Sequence, residues 1–153
     1  MSTSDPVSVE AARSVDDELV SEVARLLPQL SSSAAPPGLG ELSEIVADDR
    51  SVLFLARDGG GQLVGMLTLA TYRIPTGLHA VIEDVVVDEA TRGAGLGAAL
   101  VQAALDEAKR RGARNVDLTS RPSREAANRL YLKMGFARRE TNVYRHRLEP
   151  SES

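Results

Sequence analysis

The stretch Ile82-Glu83-Asp84-Val85-Val86-Val87-Asp88-Glu89-Ala90-Thr91-Arg92-Gly93-Ala94-Gly95-Leu96-Gly97-Ala98-Ala99-Leu100 constrains the fold more than any other part of the chain. Val85, Val86 and Val87 branch at Cβ, which suits an extended backbone in an apolar, two-sided environment. A short polar link follows, then three alternating glycines, then an alanine- and leucine-rich helical run. Gly93, Gly95 and Gly97 remove the side chains that would hold a ligand off the backbone. The helix beyond them offers unpaired N–H groups and the positive end of its dipole, a seat for phosphate-like anions. The stretch reads as a strand that ends in a diphosphate cradle.

Two common diphosphate loops lose a required group here. A nucleoside-triphosphate loop needs Lys-Ser or Lys-Thr after its last glycine, and Ala98-Ala99 stand there instead. A dinucleotide fingerprint needs Gly-x-Gly-x-x-Gly, whereas the spacing is Gly-x-Gly-x-Gly. The wider chain narrows the choice further. At 153 residues it is sized for a single domain, 1–153, with an ordered core of about residues 7–148. It has no cysteine, and His79 and His146 are its only histidines, so no metal centre is expected. No apolar run approaches the roughly 20 residues that span a bilayer. Met1 to Pro6 lack the basic and apolar regions of a signal peptide. The expectation is a cytoplasmic protein, monomer or homodimer, without a membrane partner.

Charge divides the chain. Residues 1–90 carry 5 Lys/Arg against 15 Asp/Glu, a net −10, and residues 91–153 carry 13 against 7, a net +6. The basic half holds the glycine loop, as a polyanionic ligand favours, although the run Lys109-Arg110-Arg111 is equally read as a solvated helix face. The acidic half argues against a nucleic-acid partner and is compatible with an amine substrate.

In chain order, Val7 to Ala11 alternate as a first strand, and Ser14 or Asp16 caps a helix with Leu19, Val23, Leu26, Leu27 and Leu30 on one stripe. Pro28 ends or kinks that helix. A Ser/Ala/Pro loop and a short helix over Leu39 to Ala47 follow. Ser51 to Arg57 and Gln62 to Tyr72 read as antiparallel strands joined at Asp58-Gly59-Gly60-Gly61, with Gly65 marking a bulge or a close backbone approach. Arg73 to His79 reads as a loop into the central strand. Gly97, Ala98, Val101, Ala104, Leu105 and Ala108 form the next helix's apolar stripe, which Gly112 ends. Asn115 to Thr119 is a strand. Ser123 caps a helix with Ala127, Leu130, Tyr131 and Met134 inward, ended by Gly135. Phe136 to Glu140 and Val143 to Leu148 close the chain as a hairpin, and Pro150 to Ser153 form a disordered tail. The fold class is α/β (α+β), a mixed, mostly antiparallel sheet flanked by helices.

Two motifs resemble those of the GNAT superfamily of N-acetyltransferases. Arg92-Gly93-Ala94-Gly95-Leu96-Gly97 is similar to its acetyl-CoA loop, Arg/Gln-x-x-Gly-x-Gly/Ala. Asn128-Arg129-Leu130-Tyr131-Leu132-Lys133-Met134-Gly135-Phe136 matches its Asn-x-x-Tyr-x-x-x-Gly-Phe at every marked position. The order of elements is also similar along nearly the whole chain. The resemblance implies an acetyl-CoA-dependent N-acetyltransferase, an acyltransferase that moves an acetyl group to a primary amine of a small molecule or of a protein. Arg92 to Gly97 would hold the diphosphate, the backbone of Val85, Val86 and Val87 the pantetheine amides, and Asn128 the pantetheine or adjacent atoms. Tyr131 would lie against the sulfur. Arg124, Arg129 and Lys133 are candidates for the outer phosphate.

The chemistry fits those residue types. Acyl transfer expels a thiolate, and a phenol of ordinary pKa about 10 stays protonated at neutral pH, able to donate to the leaving sulfur. An amine near pH 7 must first lose a proton, so a carboxylate nearby is useful. Ile82-Glu83-Asp84 resembles the Ile/Leu-Glu-Asp that opens the central strand in family members acting on small amines, which points to Glu83 as base; Asp84 or water are the alternatives. Alternation places Glu83 and Asp84 on opposite faces. Without a cysteine or a nucleophile elbow, direct attack in a ternary complex is the simplest mechanism. His79 is a minor acceptor-side candidate. The competing reading is a non-catalytic acyl-CoA-binding regulatory module, which needs neither Glu83 nor Tyr131.

Overall fold

The computed structural model describes residues 7–91 and 93–150. The chain divides into two compact units, residues 1–121 and 122–153. The first contains a five-stranded sheet in the order β1-β2-β3-β4-β5, with β1 Ser8–Ala11, β2 Ser51–Arg57, β3 Leu63–Ile74, β4 Gly77–Val87 and β5 Val116–Asp117. The first four strands pair antiparallel, and β5 pairs parallel to β4. Between β1 and β2 lie α1 (Asp17–Leu26), a 3-10 turn over Leu27–Gln29 and α2 (Leu39–Ala47). After β4 come a 3-10 turn over Glu89–Thr91 and α3 (Leu96–Arg111).

Asp16 is the cap that starts α1, its Oδ1 accepting from Leu19 N–H at 2.8 Å. Pro28 fits the tighter 3-10 turn, where its missing N–H costs nothing. Leu19, Val23 and Leu26 of α1 and Leu42 of α2 bury against Leu53, Leu55, Leu63, Met66 and Val86 of the sheet. Cross-strand pairing of Leu55 with Met66 puts those side chains on one face. Phe54, Leu67, Leu69 and Ile82 belong to the other face, where α3 packs with Leu100, Val101, Ala104 and Ala108 buried. Each fully buried leucine contributes about 2 kcal/mol.

Both readings of Gly65 hold. Ala56 pairs with Gly65 but Arg57 with Leu63, so Val64 is the extra residue of a bulge. A Cβ on Gly65 would stand 3.1 Å from Leu100 Cδ1 and 3.3 Å from Val86 O, so only glycine lets α3 approach this closely. Gly112 closes α3 at φ +87, its N–H donating to the last-turn carbonyls of Ala108 and Lys109.

Several expectations are corrected. Arg73 to His79 is not a loop: β3 and β4 extend through it, Ile74 pairs with Gly77, and Pro75-Thr76 alone make the turn. Proline's fixed φ and a glycine at φ +129 make so short a reversal possible. The strand expected over Asn115 to Thr119 shortens to Val116–Asp117. Its pairing ends at Val81, shortly before β4 bulges.

In the second unit, α4 runs Glu125–Lys133 and Gly135 follows at φ +98. Ser123 is not its cap. Arg124 takes that place without a side-chain bond, its carbonyl accepting from Asn128 N–H, so the serine hydroxyl stands one residue too early. The stripe of Ala127, Leu130, Tyr131 and Met134 is the covered side of α4. The closing hairpin is absent among the described residues: 136–150 contain no strand. Val143, Tyr144 and Leu148 are 74%, 88% and 83% exposed, with charged residues between them. Two lone strands that bury so little apolar surface are marginal. Residues 151–153 of the expected tail lie outside the described residues.

Candidate active site

The alternation of β4 is broken at Asp84. Thr68 pairs with Glu83 and Met66 with Val86, so Asp84 and Val85 together oppose Leu67. Asp84 lies at φ +51, a region that aspartate tolerates better than most residues. The bulge reverses the parity of the strand. Ile82 shares a face with Leu69, whereas Val86, four residues on, joins the α1/α2 core. Glu83, opposite Thr68, therefore faces the α1/α2 side and is exposed. The simple alternation expected for Glu83 and Asp84 gives way to this bulge, of a kind that commonly re-aims side chains beside active sites.

β5 pairs only with Ala80 and Val81, so no strand of the sheet pairs with Ile82–Val87 on the edge away from β3. Asp88 N–H donates to Val64 O at 2.8 Å, which by antiparallel alternation turns the N–H and C=O of Val87 toward that open edge. Val85 and Val87 are half-buried and Val86 is buried. An extended amide chain laid along this edge would find backbone partners. Leu118 to Ser120 run on from β5 without pairing, and the buried Ser120 Oγ has no hydrogen-bond partner.

The glycine loop has the geometry of a cradle. Gly93 at φ +91 and Gly95 at φ +77 need glycine's freedom, and nothing stands within 4 Å of where their Cβ atoms would be. Gly95 caps α3, and Ala99 N–H is the donor to its carbonyl, so the N–H groups of the preceding turn have no partner within the helix. Gly93, Ala94 and Gly95 are exposed, Leu96 anchors the turn in the core and Gly97 is half-buried. Arg92 lies outside the described residues. A cleft of about 730 Å³ adjoins the loop, with Thr91, Gly93 and Ala94 on one wall and Asp58–Gly60 on the other. Asp58 accepts from Gly60 and Gln62 N–H, so its negative charge disfavours an anion on that far wall.

One part of this site escaped the sequence reading. The link before the glycines is held by Asp88, which pairs with Arg25 of α1 at 2.8 Å and accepts from Ala90 N–H at 3.1 Å. Gln29 bonds Asp88 through its amide nitrogen and accepts Glu89 N–H through its oxygen. Arg25, then the Ala90 N–H, hold the Asp88 carboxyl below its ordinary range. Arg25 also donates to the Leu63 carbonyl at the Val64 bulge.

On α4 of the second unit, Asn128 is half-buried and Tyr131 is 6% exposed. Phe136 meets the Tyr131 ring edge-on at 5.9 Å, and Phe136 N–H donates to the Tyr131 carbonyl. Burial pushes the Tyr131 phenol up, opposed by the Arg124 cation. At neutral pH it keeps its proton. Arg124, Arg129 and Lys133 are exposed. Among the described residues no group of three His, Asp or Glu could hold a metal ion, and no helix is long and apolar enough to cross a membrane.

Comparison with known proteins agrees with this architecture. An acetyltransferase from Trypanosoma brucei is 27% identical, with 92% of this chain and 99% of that one covered, at a TM-score of 0.75. A transcriptional regulator from Bacillus halodurans C-125 is also 27% identical over the same shares, at 0.76. An aminoglycoside acetyltransferase from an uncultured soil metagenomic sample shares the fold at 0.82 but only 18% identity, covering 94% of this chain and 97% of its own. No curated protein sequence matches. The model of the acetyltransferase (GNAT) family matches residues 20–136, taking in the β4 bulge, the glycine loop and the Asn128–Phe136 motif. The chain belongs to the GNAT family of acetyltransferases.

Proposed function

We propose that the protein transfers the acetyl group of acetyl-CoA to a primary amine, by direct attack while both substrates are bound. The observation that carries the reading is the clear cradle at Gly93 and Gly95, which opens α3 inside the family match. Members of this family generally use acetyl-CoA. It supplies an acyl group already activated as a thioester. The N–H groups around Gly93 to Gly97, with Arg92, would take the diphosphate, and the open edge at Val85, Val86 and Val87 the pantetheine. Asn128 would bond the cofactor arm. A backbone N–H on that edge would polarise the thioester carbonyl as its carbon becomes tetrahedral.

Glu83 then takes the proton that the ammonium must lose. Nitrogen bonds the carbonyl carbon, the carbon–sulfur bond breaks and Tyr131 gives its proton to the departing thiolate; the second proton that nitrogen sheds on becoming an amide passes through solvent and restores the phenol. A small-molecule amine is the favoured acceptor, consistent with the aminoglycoside acetyltransferase fold likeness. The proposed setting is the cytoplasm.

The test is release of free thiol from acetyl-CoA across a panel of amines, amino sugars, polyamines and peptide N-termini. Amine-dependent release is expected. The likeness to a transcriptional regulator favours a second reading, a non-catalytic acyl-CoA-binding regulatory module. Saturable CoA binding with no thiol release on any amine would establish that reading instead.

A further inference from the structure

The β3–β4 hairpin overshoots the rest of the sheet. β2 ends its pairing at Ser51 with Ala70, yet β3 and β4 continue to Ile74 and Gly77. On this overhang Tyr72 and Ile74 are 45% and 41% exposed, unusual for large side chains of a long central strand. The Tyr72 and His79 rings stack at 5.8 Å and 21°, and His79 Nε2 lies 3.1 Å from Thr76 Oγ1. Arg114 ties the turn down from the β5 side, its N–H donating to Leu78 O and its guanidinium to Thr76 O. The overhang is braced and its rings are stacked, while Tyr72 and Ile74 stay exposed among the described residues.

Register places this surface. Tyr72 pairs with His79, Ala70 with Val81 and Thr68 with Glu83, so the ring stack and Glu83 share one sheet face. Glu83 lies four positions beyond His79 along β4, about 13 Å at strand rise. The apolar core that α1 and α2 build on that face takes in Leu53, Leu55, Leu63, Met66 and Val86 and, among the described residues, does not include Tyr72, Ile74 or His79. The net −10 of residues 1–90 favours a cationic visitor.

We propose that Tyr72, Ile74 and His79 form the specificity surface for the acceptor, holding the aryl far end of an elongated small-molecule amine whose nitrogen lies at Glu83. The proposal rests on Glu83 marking the acceptor side. A flat ring stack beside an aliphatic side chain, with no charge of its own on Tyr72 or Ile74, suits a ring better than a second ammonium.

The experiment measures kcat/KM with acetyl-CoA for ω-phenylalkylamines of rising length against methyl-ended alkylamines of matched length. The aryl-to-alkyl ratio should peak, about 5-fold above one, when ring and nitrogen stand about 10 Å or more apart. Tyr72→Ala should abolish the peak and Tyr72→Phe, which keeps the ring, should retain it. A ratio independent of length, or a peak that survives Tyr72→Ala, would overturn the proposal. So would a shift in oligomeric state of Tyr72→Ala by light scattering, which would make the surface a seat for a second copy. A preference for peptide N-termini regardless of an aryl end would also overturn it. Thiol release that never depends on an amine would instead defeat the acetyl-transfer reading itself.

Discussion

At the scale of single residues, the proposed chemistry rests on the Tyr131 phenol and the Glu83 carboxylate, and each makes a separable prediction. Burial that raises the Tyr131 pKa keeps its proton available through the neutral range. Tyr131→Phe should lower kcat about 100-fold while changing the KM for acetyl-CoA little, as steady-state kinetics would show. Equal losses in both would mark a packing role against Phe136. Glu83→Gln should cost about as much and remove the acidic limb of the pH–rate profile. An unaltered limb would move the base to Asp84 or water. The motifs that name these residues were readable directly, because a local pattern specifies them. The bulge at Asp84 was not, since nothing in Ile-Glu-Asp-Val distinguishes a strand that alternates from one that skips.

At the scale of elements, Asp88 joins α1 to the link that leads into α3. Its partners Arg25 and Gln29 lie 63 and 59 residues away in sequence, which is why no local pattern announced them. Asp88→Asn should raise the KM for acetyl-CoA about 10-fold with a smaller change in kcat, because the loop it steadies is proposed to bind the donor and not to react. The depressed carboxyl gives the sign. The clasp is complete above the ordinary carboxylate value of 3.8 and is lost as pH falls below it, so acid should weaken CoA binding in the wild type and not in the variant. An unchanged KM would make Asp88 a fold residue alone.

The far end of α3 offers a stability counterpart. Arg110, then Arg111, hold the Glu107 carboxyl down from 4.5 to about 2. Arg111 also reaches the Asp49 carbonyl and Thr71 Oγ1, fastening the helix to the sheet. Glu107→Gln should cost about 1 kcal/mol by chemical denaturation at pH 7, modest because Arg110 is exposed. The deficit should fade between pH 4.5 and 2, since a lowered carboxyl stabilises above its unfolded value. A deficit constant with pH would assign it to packing.

At the scale of the molecule, the sequence was most legible where period and punctuation agree. The ends of α2 and β2 match the apolar pattern to the residue. It was least legible where a segment depends on what covers it. Arg73 to His79 is polar enough to read as a loop yet continues both strands, and Phe136 to Leu148 alternates enough to read as a hairpin yet contains no strand.

The central claim is that a diphosphate rests on the glycine loop while its pantetheine runs along the unpaired edge of β4. A crystal structure with CoA bound tests it most directly. Phosphate oxygens within hydrogen-bond distance of N–H groups between Gly93 and Gly97, with pantetheine amides on Val85 to Val87, are the result expected. CoA lodged elsewhere, or the β4 edge left bare, would contradict the account.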